Sequence, residues 1–454
     1  MKTYPRRTTA IAAALLASSL NALAAGTDES SSVPAMAQAQ LETAQAAAKM
    51  ALDTIGLELS GYMRSGFYYA KDNLAKGHYG LGQLGFNRLG NEGDTYLEFG
   101  FGKKWKIDGA KLGTYWMPYL YNADCCNGSG TKQVYTDISG LSIAPELSFW
   151  AGQRYHRIQD VHIIDQWLME DGDNFGAGVD GFKVGGGSLN IAVHTEGNTD
   201  DSRNTSNAKR LNFQLKELPI TEGGTLNLTG AIVRGDFADK TTSGALGLLY
   251  NQKIGVLTNS LFVQGSNGHA ALTGKFYALN GQTETTTLSF FCKVAENPDG
   301  SCPTAQTGAN SVTTRTATAN SGAKQFRLVD AINWQSGRFG GQALVGYQTL
   351  TPEDTQVKQT NFAVGARLSY GIMKNLKLYG DANFATLKQD NAATQEINKG
   401  TIALALAPNT DFWTRPEIRL YLTRVGGNDA LKASGAFGTR SSAILAGLQV
   451  EAWW

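Results

Sequence analysis

The 454-residue chain lacks a charge excess, with 40 Lys and Arg against 39 Asp and Glu and a formal net charge of +1 at pH 7. It has no long basic run either, which excludes nucleic acid as a partner class. Past its N-terminus it lacks any apolar run long enough for a spanning helix, which needs about 20 residues. Histidine is scarce, with five in all. None has a nucleophile or second ligand at useful spacing, and none is expected on a strand beside a serine and an acid. That argues against an enzyme and a metal site, and nothing calls for a cofactor. Cysteine is scarce too, with four. Cys292 and Cys302 flank a polar tip and would pair as a loop staple in an oxidising compartment. Cys125 and Cys126 are adjacent, which is awkward for a bridge between them, and bridges from them to the other two are the alternative, since four cysteines allow three connectivities.

What is present begins with an address. Lys2, Arg6 and Arg7 precede an apolar stretch from Ala10 to Leu20, and Ala22-Leu23-Ala24 is a small-residue cleavage pattern. Residues 1–24 therefore read as a secretory signal peptide. Residues 25–56 read as a periplasmic linker and a short heptad helix. Its seam is Ala37, Leu41, Ala44, Ala48, Ala51 and Ile55, and Gly56 stands where the helix would end. Two readings stay open for this helix, one packed singly under the next domain and one joining subunits as a coiled coil.

From residue 57 to 454 the period changes to two. Leu57, Leu59, Met63, Phe67 and Tyr69 share one face, while Glu58, Tyr62, Arg64 and Tyr68 share the other. Leu97, Phe99 and Phe101 alternate with Tyr96, Glu98 and Gly100 in the same way. Similar segments recur to the C-terminus, separated by short turns such as Met373-Lys374-Asn375 and long spacers such as Gly265–Ala323. Apolar-out, polar-in strands with short turns on one side are the pattern of an outer-membrane barrel. A soluble sandwich alternates too, but the last strand discriminates. It stops on Trp454 in mid-strand, with Ala452, Val450 and Leu448 on one face and Trp453, Glu451 and Gln449 on the other. Such an ending leaves no open edge only if that strand pairs with the first. The expected fold is all-β, a transmembrane antiparallel β-barrel in the bacterial outer membrane.

One stretch breaks the alternation. After Phe149, Ala151 and Gln153, the segment up to Val179 mixes Arg157, Asp160, His162 and Asp165 with Val161, Ile163, Ile164, Trp167 and Leu168. Surface loops are usually polar. A loop folded into a wet cavity needs both kinds.

Several segments resemble the maltoporin family of carbohydrate-specific outer-membrane porins. They include GYMRSG (Gly61–Gly66), RLGNEGDTYLE (Arg88–Glu98), DVHIID (Asp160–Asp165), RPEIR (Arg415–Arg419) and the terminal EAWW. The resemblance covers about Leu57 to Trp454, and the extension before it looks like a shortened form of that of sucrose porins. It implies 18 strands, a homotrimer, outer-membrane lipid around it, and oligosaccharides passing by facilitated diffusion. By match, an aromatic slide comprises Tyr62, Tyr96, Phe362 and Trp453, and a polar track comprises Arg64, Arg88, Glu98, Asp160 and Asp165. Arg157 and Trp167 stand at the constriction, where Ile158, Gln166 and Trp167 depart from the family pattern and predict a narrower, less polar gate. The competing readings are an unselective diffusion porin and a surface receptor barrel whose long segment Gly265–Ala323 binds a partner or phage.

Overall fold

The computed structural model describes residues 54–454 except 71–78, 91–92, 124–125, 173, 196–207, 240, 275–281, 293–306, 318–320, 353–354, 438–439 and 441. The expected signal peptide and nearly all of the heptad seam lie outside the described residues, as do Cys125 and Cys302. Thr54 and Ile55 close a helical turn, and Gly56 leaves it in the left-handed region at φ 66°.

The wall starts with β1 (Leu57–Ala70), β2 (Thr95–Ile107), β3 (Ala110–Ala123), β4 (Cys126–Leu141) and β5 (Ala144–Gln153). Inside the next connection, β6 (His156–Arg157) pairs only with β7 (Glu170–Gly172). The wall resumes with β8 (Phe175–Val184), β9 (Gly187–Thr195), β10 (Lys209–Thr221) and β11 (Gly224–Arg234). β12 (Ser243–Ile254) and β13 (Leu257–Asn267) follow. β14 (Gln282–Cys292) and β15 (Thr307–Ala317) form a separate hairpin within the long spacer. β16 (Lys324–Ser336), β17 (Phe339–Thr351), β18 (Gln359–Met373) and β19 (Leu376–Gln389) continue the wall. β20 (Gln395–Leu406), β21 (Glu417–Gly427) and β22 (Ser442–Trp453) complete it.

The wall is one sheet of 18 antiparallel strands, and β1 pairs with both β2 and β22. Tyr62 lies opposite Trp453 across the closing seam. Trp454 finishes it, since the backbones of Gly61 and Trp454 exchange hydrogen bonds at 3.1 and 3.2 Å. Closure removes every edge that would otherwise template pairing with another chain.

Strand parity sorts the side chains. In β22, Ile444, Ala446 and Leu448 face out while Leu445, Gln449 and Glu451 are buried inside. In β18, Val364, Leu368 and Tyr370 face out while Asn361, Arg367 and Ser369 face in. One end of the barrel carries short turns. Asp108 and Gly109, at φ 48° and 86°, make a two-residue hairpin whose backbone twist suits antiparallel strands. The longest connection at that end is 407–416. The opposite end carries the long connections, and two of these turn inward to fill the lumen. Among the described residues no helix is long and apolar enough to cross a membrane.

Candidate functional site

The connection between β5 and β8 lies inside the barrel. Its apolar residues Val161, Ile163, Ile164 and Leu168 are at most 1% exposed. It is pinned to the far wall by hydrogen bonds that satisfy its own backbone. Ile163 N donates to Gln342 Oε1 at 3.0 Å, and Gln264 Nε2 donates to the Leu168 carbonyl at 2.6 Å. Asp165 ends the short 3₁₀ turn His162–Ile164 in the left-handed region at φ 55°. Arg157 Nε donates to Glu170 Oε1 at 3.0 Å and stacks over Tyr155 at 3.5 Å and Trp167 at 5.2 Å. Trp167 is 41% exposed in the lumen. Burial pushes the Asp160 carboxyl above the ordinary carboxylate range, with His162 opposing.

A second inward segment, 79–90, was not foreseen. Leu81, Leu84 and Leu89 are buried, and the segment lies across the β16–β21 wall. Asn361 Oδ1 accepts from Leu84 N at 3.0 Å, and Asn87 Nδ2 donates to Asp381 Oδ1 at 3.0 Å. Lys399 Nζ donates to the carbonyls of Asn87 and Leu89. The two segments are joined directly, because Arg88 N donates to the Ile163 carbonyl at 2.8 Å.

That junction organises the charges. Arg88 bonds Asp94 at 3.0 Å and also Asp165, while Arg64 bonds Asp94 at 2.6 Å and approaches Asp165 at 4.0 Å. Arg64, Arg88 and Asp165 therefore meet in one network whose fourth member, Asp94, was absent from the expected polar track. Glu98 stands beside it, accepting from Tyr96 Oη and, at 2.8 Å, from Tyr155 Oη. Asp160 sits on the inward loop outside this network.

The rings follow the charges. Tyr62 and Tyr96 are 6.2 Å apart, and the Arg64 guanidinium lies 4.8 Å over Tyr96. Trp453 meets His162 at 5.5 Å, and His162 meets Trp413 at 5.6 Å. Phe362 does not join them. It projects from the outward face of β18, 37% exposed, opposite Tyr347. Position and parity conflict there, and parity decides: Asn361 and Ala363 take the inward places. The ring that extends the line is Trp413, on the turn 407–416. Phe262 faces inward but is fully buried, so it offers no surface.

The LamB porin family profile matches residues 57–454. The chain belongs to the LamB porin family. The maltoporin of Vibrio cholerae serotype O1 is 25% identical over 413 residues, covering 81% of this chain and 88% of that protein. The maltoporin of Hahella chejuensis is 23% identical over 393 residues, covering 81% and 85%. Among solved structures, an anion-selective porin from Comamonas acidovorans is 9% identical with a TM-score of 0.43, over 87% of this chain and 99% of that one. The outer-membrane protein OmpT of Vibrio cholerae, in its trimer form, is 9% identical with a TM-score of 0.42, over 88% and 99%.

As a LamB porin the chain is a channel of the bacterial outer membrane, in a family of sugar porins. This LamB porin also carries a buried ionic cluster at the short-turn end. Glu417 and Glu451 are fully buried among Arg415, Arg419 and Lys377. Tyr62 Oη donates to Glu451 Oε1 at 3.0 Å, and the Arg415 guanidinium lies 4.3 Å over Trp453. The cluster thus fixes two of the rings. Its acids and bases alternate as Arg415, just before β21, then Glu417 and Arg419 on it, a pattern legible in RPEIR. His194 lies on strand β9, with its Nδ1 3.0 Å from Asn212 Oδ1.

Proposed function

We propose that this porin passes oligosaccharides by facilitated diffusion, along a line of rings formed by Tyr96, Tyr62, Trp453 and Trp413. The observation that carries the proposal is that Tyr62 and Tyr96 stand beside Arg64 and Glu98 on the lumen wall, where the inward connections bring Arg88 and Asp165 to the same charged network. A pyranose has apolar faces for ring contact and a rim of hydroxyls for charge-assisted hydrogen bonds. Several moderate stations let a solute enter and still leave, which one tight pocket does not. Arg157 and Trp167 form the gate, with Asp160 contributing charge on the same loop.

The chain works as a homotrimer in this reading. The outward faces of β1–β3 carry Phe67, Tyr69, Phe101 and Trp116, all exposed in the single chain. Phe101 and Trp116 stack at 5.8 Å. This stacked pair, level with Leu59 near the short-turn end, gives β2 and β3 a flat apolar surface that suits a subunit contact. The disulfide Cys292–Cys302 is proposed as a staple of the long loop.

The test is single-channel recording with maltose, sucrose and an aryl glucoside added in turn. A sugar that interrupts the ion current in a concentration-dependent way supports the proposal. An ion current indifferent to all of them would leave an unselective diffusion pore.

A further inference from the structure

The lumen wall of β1–β5 holds more tyrosine than one ladder uses. Tyr115 faces inward from β3 and Tyr135 faces inward from β4, directly opposite each other. Their ring centroids are 5.4 Å apart with planes at 34°. Tyr115 lies across glycines of β2, because a Cβ on Gly102 would come within 3.3 Å of Tyr115 Cδ2 and one on Gly100 within 2.7 Å of Cζ. Tyr135 stands opposite Gly152 of β5, which has no side chain to crowd it. The Tyr115 ring, laid on glycine backbone, turns its other face to the interior.

Polar groups frame the pair. Tyr115 Oη and Ser60 Oγ share a hydrogen bond at 2.7 Å. Ser60 stands two residues from Tyr62 on the same face of β1, so the pair is continuous with the main line. Arg154 lies 5.1 Å over Tyr135 and is held there by Asp180 at 2.8 Å. Among the described residues the Tyr135 hydroxyl has no hydrogen-bond partner. The inward loop is rooted just above, where Tyr155 N donates to Gln133 Oε1 at 3.0 Å. Tyr135 stands two residues further towards the short-turn end.

We propose that Tyr115 and Tyr135, with Arg154 alongside, form a second sugar-stacking station on the short-turn side of the gate. The aromatic line forks at Tyr62, one arm running through Trp453 and the other through Tyr115. The ligand is one pyranose unit of a neutral oligosaccharide, its apolar face on the two rings and its hydroxyls towards Tyr135 Oη and Arg154. This rests on the sugar-channel reading and deepens it.

The experiment records current block in the full chain, wild type against Tyr115→Ala, Tyr135→Ala, Tyr135→Leu and Tyr135→Phe. The probe is whichever of maltose, sucrose or aryl glucoside blocks the wild type, added from each side. Loss of one ring contact weakens binding about five-fold. That loss should fall on the on-rate for sugar arriving from the short-turn side, with the opposite on-rate little changed. Tyr135→Leu keeps bulk without a ring and should behave as Tyr135→Ala, while Tyr135→Phe should lose less. If the sugar blocks the wild type and Tyr115→Ala and Tyr135→Leu equally, the second station does not exist. If no sugar blocks the wild type, the sugar-channel reading fails first.

Discussion

Trp167 is large, exposed and held by one guanidinium stack, so replacing it should change passage more than folding. Trp167→Ala is expected to raise ion conductance and to weaken sugar block by about five- to ten-fold, the scale of one ring contact. An unchanged conductance would remove Trp167 from the gate. Asp160 makes a different prediction. Burial raises its pKa, so it loses its charge at a higher pH than an ordinary carboxylate. Cation preference should therefore fall as pH drops, beginning above the usual carboxylate range of about 4. Asp160→Asn should remove that early step in reversal-potential measurements and leave the later one. At this scale the sequence was most legible where a motif and strand parity agreed, as for Tyr62, Arg64, Tyr96, Glu98 and Trp453. Phe362 failed because similarity placed an aromatic at a position that parity turns to the lipid. Trp413 was missed because it lies on a turn, where no period of two marks the inward side.

The inward segment 79–90 is tied to the wall by polar bonds from β16 to β20. Lys399→Met would remove the buried donor shared by the carbonyls of Asn87 and Leu89, leaving Leu89 the 3.3 Å bond from Thr401 Oγ1, at about 1–3 kcal/mol in all. The segment should loosen, which would appear as a noisier open-channel current and earlier proteolysis near Leu89. A quiet channel of normal size would show that the remaining anchors suffice. This segment had a signal in its sequence, since GLGQLGFNRLG places Leu81, Leu84 and Leu89 among glycines. Apolar residues in a loop carried the inference for 154–174, and the same reasoning applies here. The charges that made the third connection conspicuous are fewer in this one. Strand β3 escaped the alternation pattern for a physical reason. Tyr115, Tyr119 and Tyr121 face in while Trp116 and Leu120 face out, so both faces are large and aromatic. The sequence of the hairpin β14–β15 is rich in threonine and serine, so nothing separated it from a polar loop.

Closure of the whole barrel rests on the seam between β1 and β22, and Gly61 is its tightest point. A Cβ there would come within 2.6 Å of Trp454 Cε2 and 2.8 Å of the Glu98 carbonyl oxygen. Gly61→Val should therefore destabilise the barrel by about 1–3 kcal/mol, the usual penalty for overpacking. A lower unfolding midpoint in denaturant, measured in lipid vesicles, checks this; an unchanged midpoint would mean that Trp454 moves aside freely. The global fold was legible because a closed sheet imposes one rule on every strand. The lumen was less legible, because its filling comes from connections that obey no such rule. Those connections also impose an order in time. The segment 79–90 is synthesised early, yet its partners Arg327 and Lys399 come 244 and 312 positions later for Gln83 and Asn87. The narrowing cannot set until the last third of the wall stands. A molecule halfway through insertion is then a wide leak rather than a small filter, and recordings begun during insertion should show a large, sugar-insensitive current that shrinks to the final one.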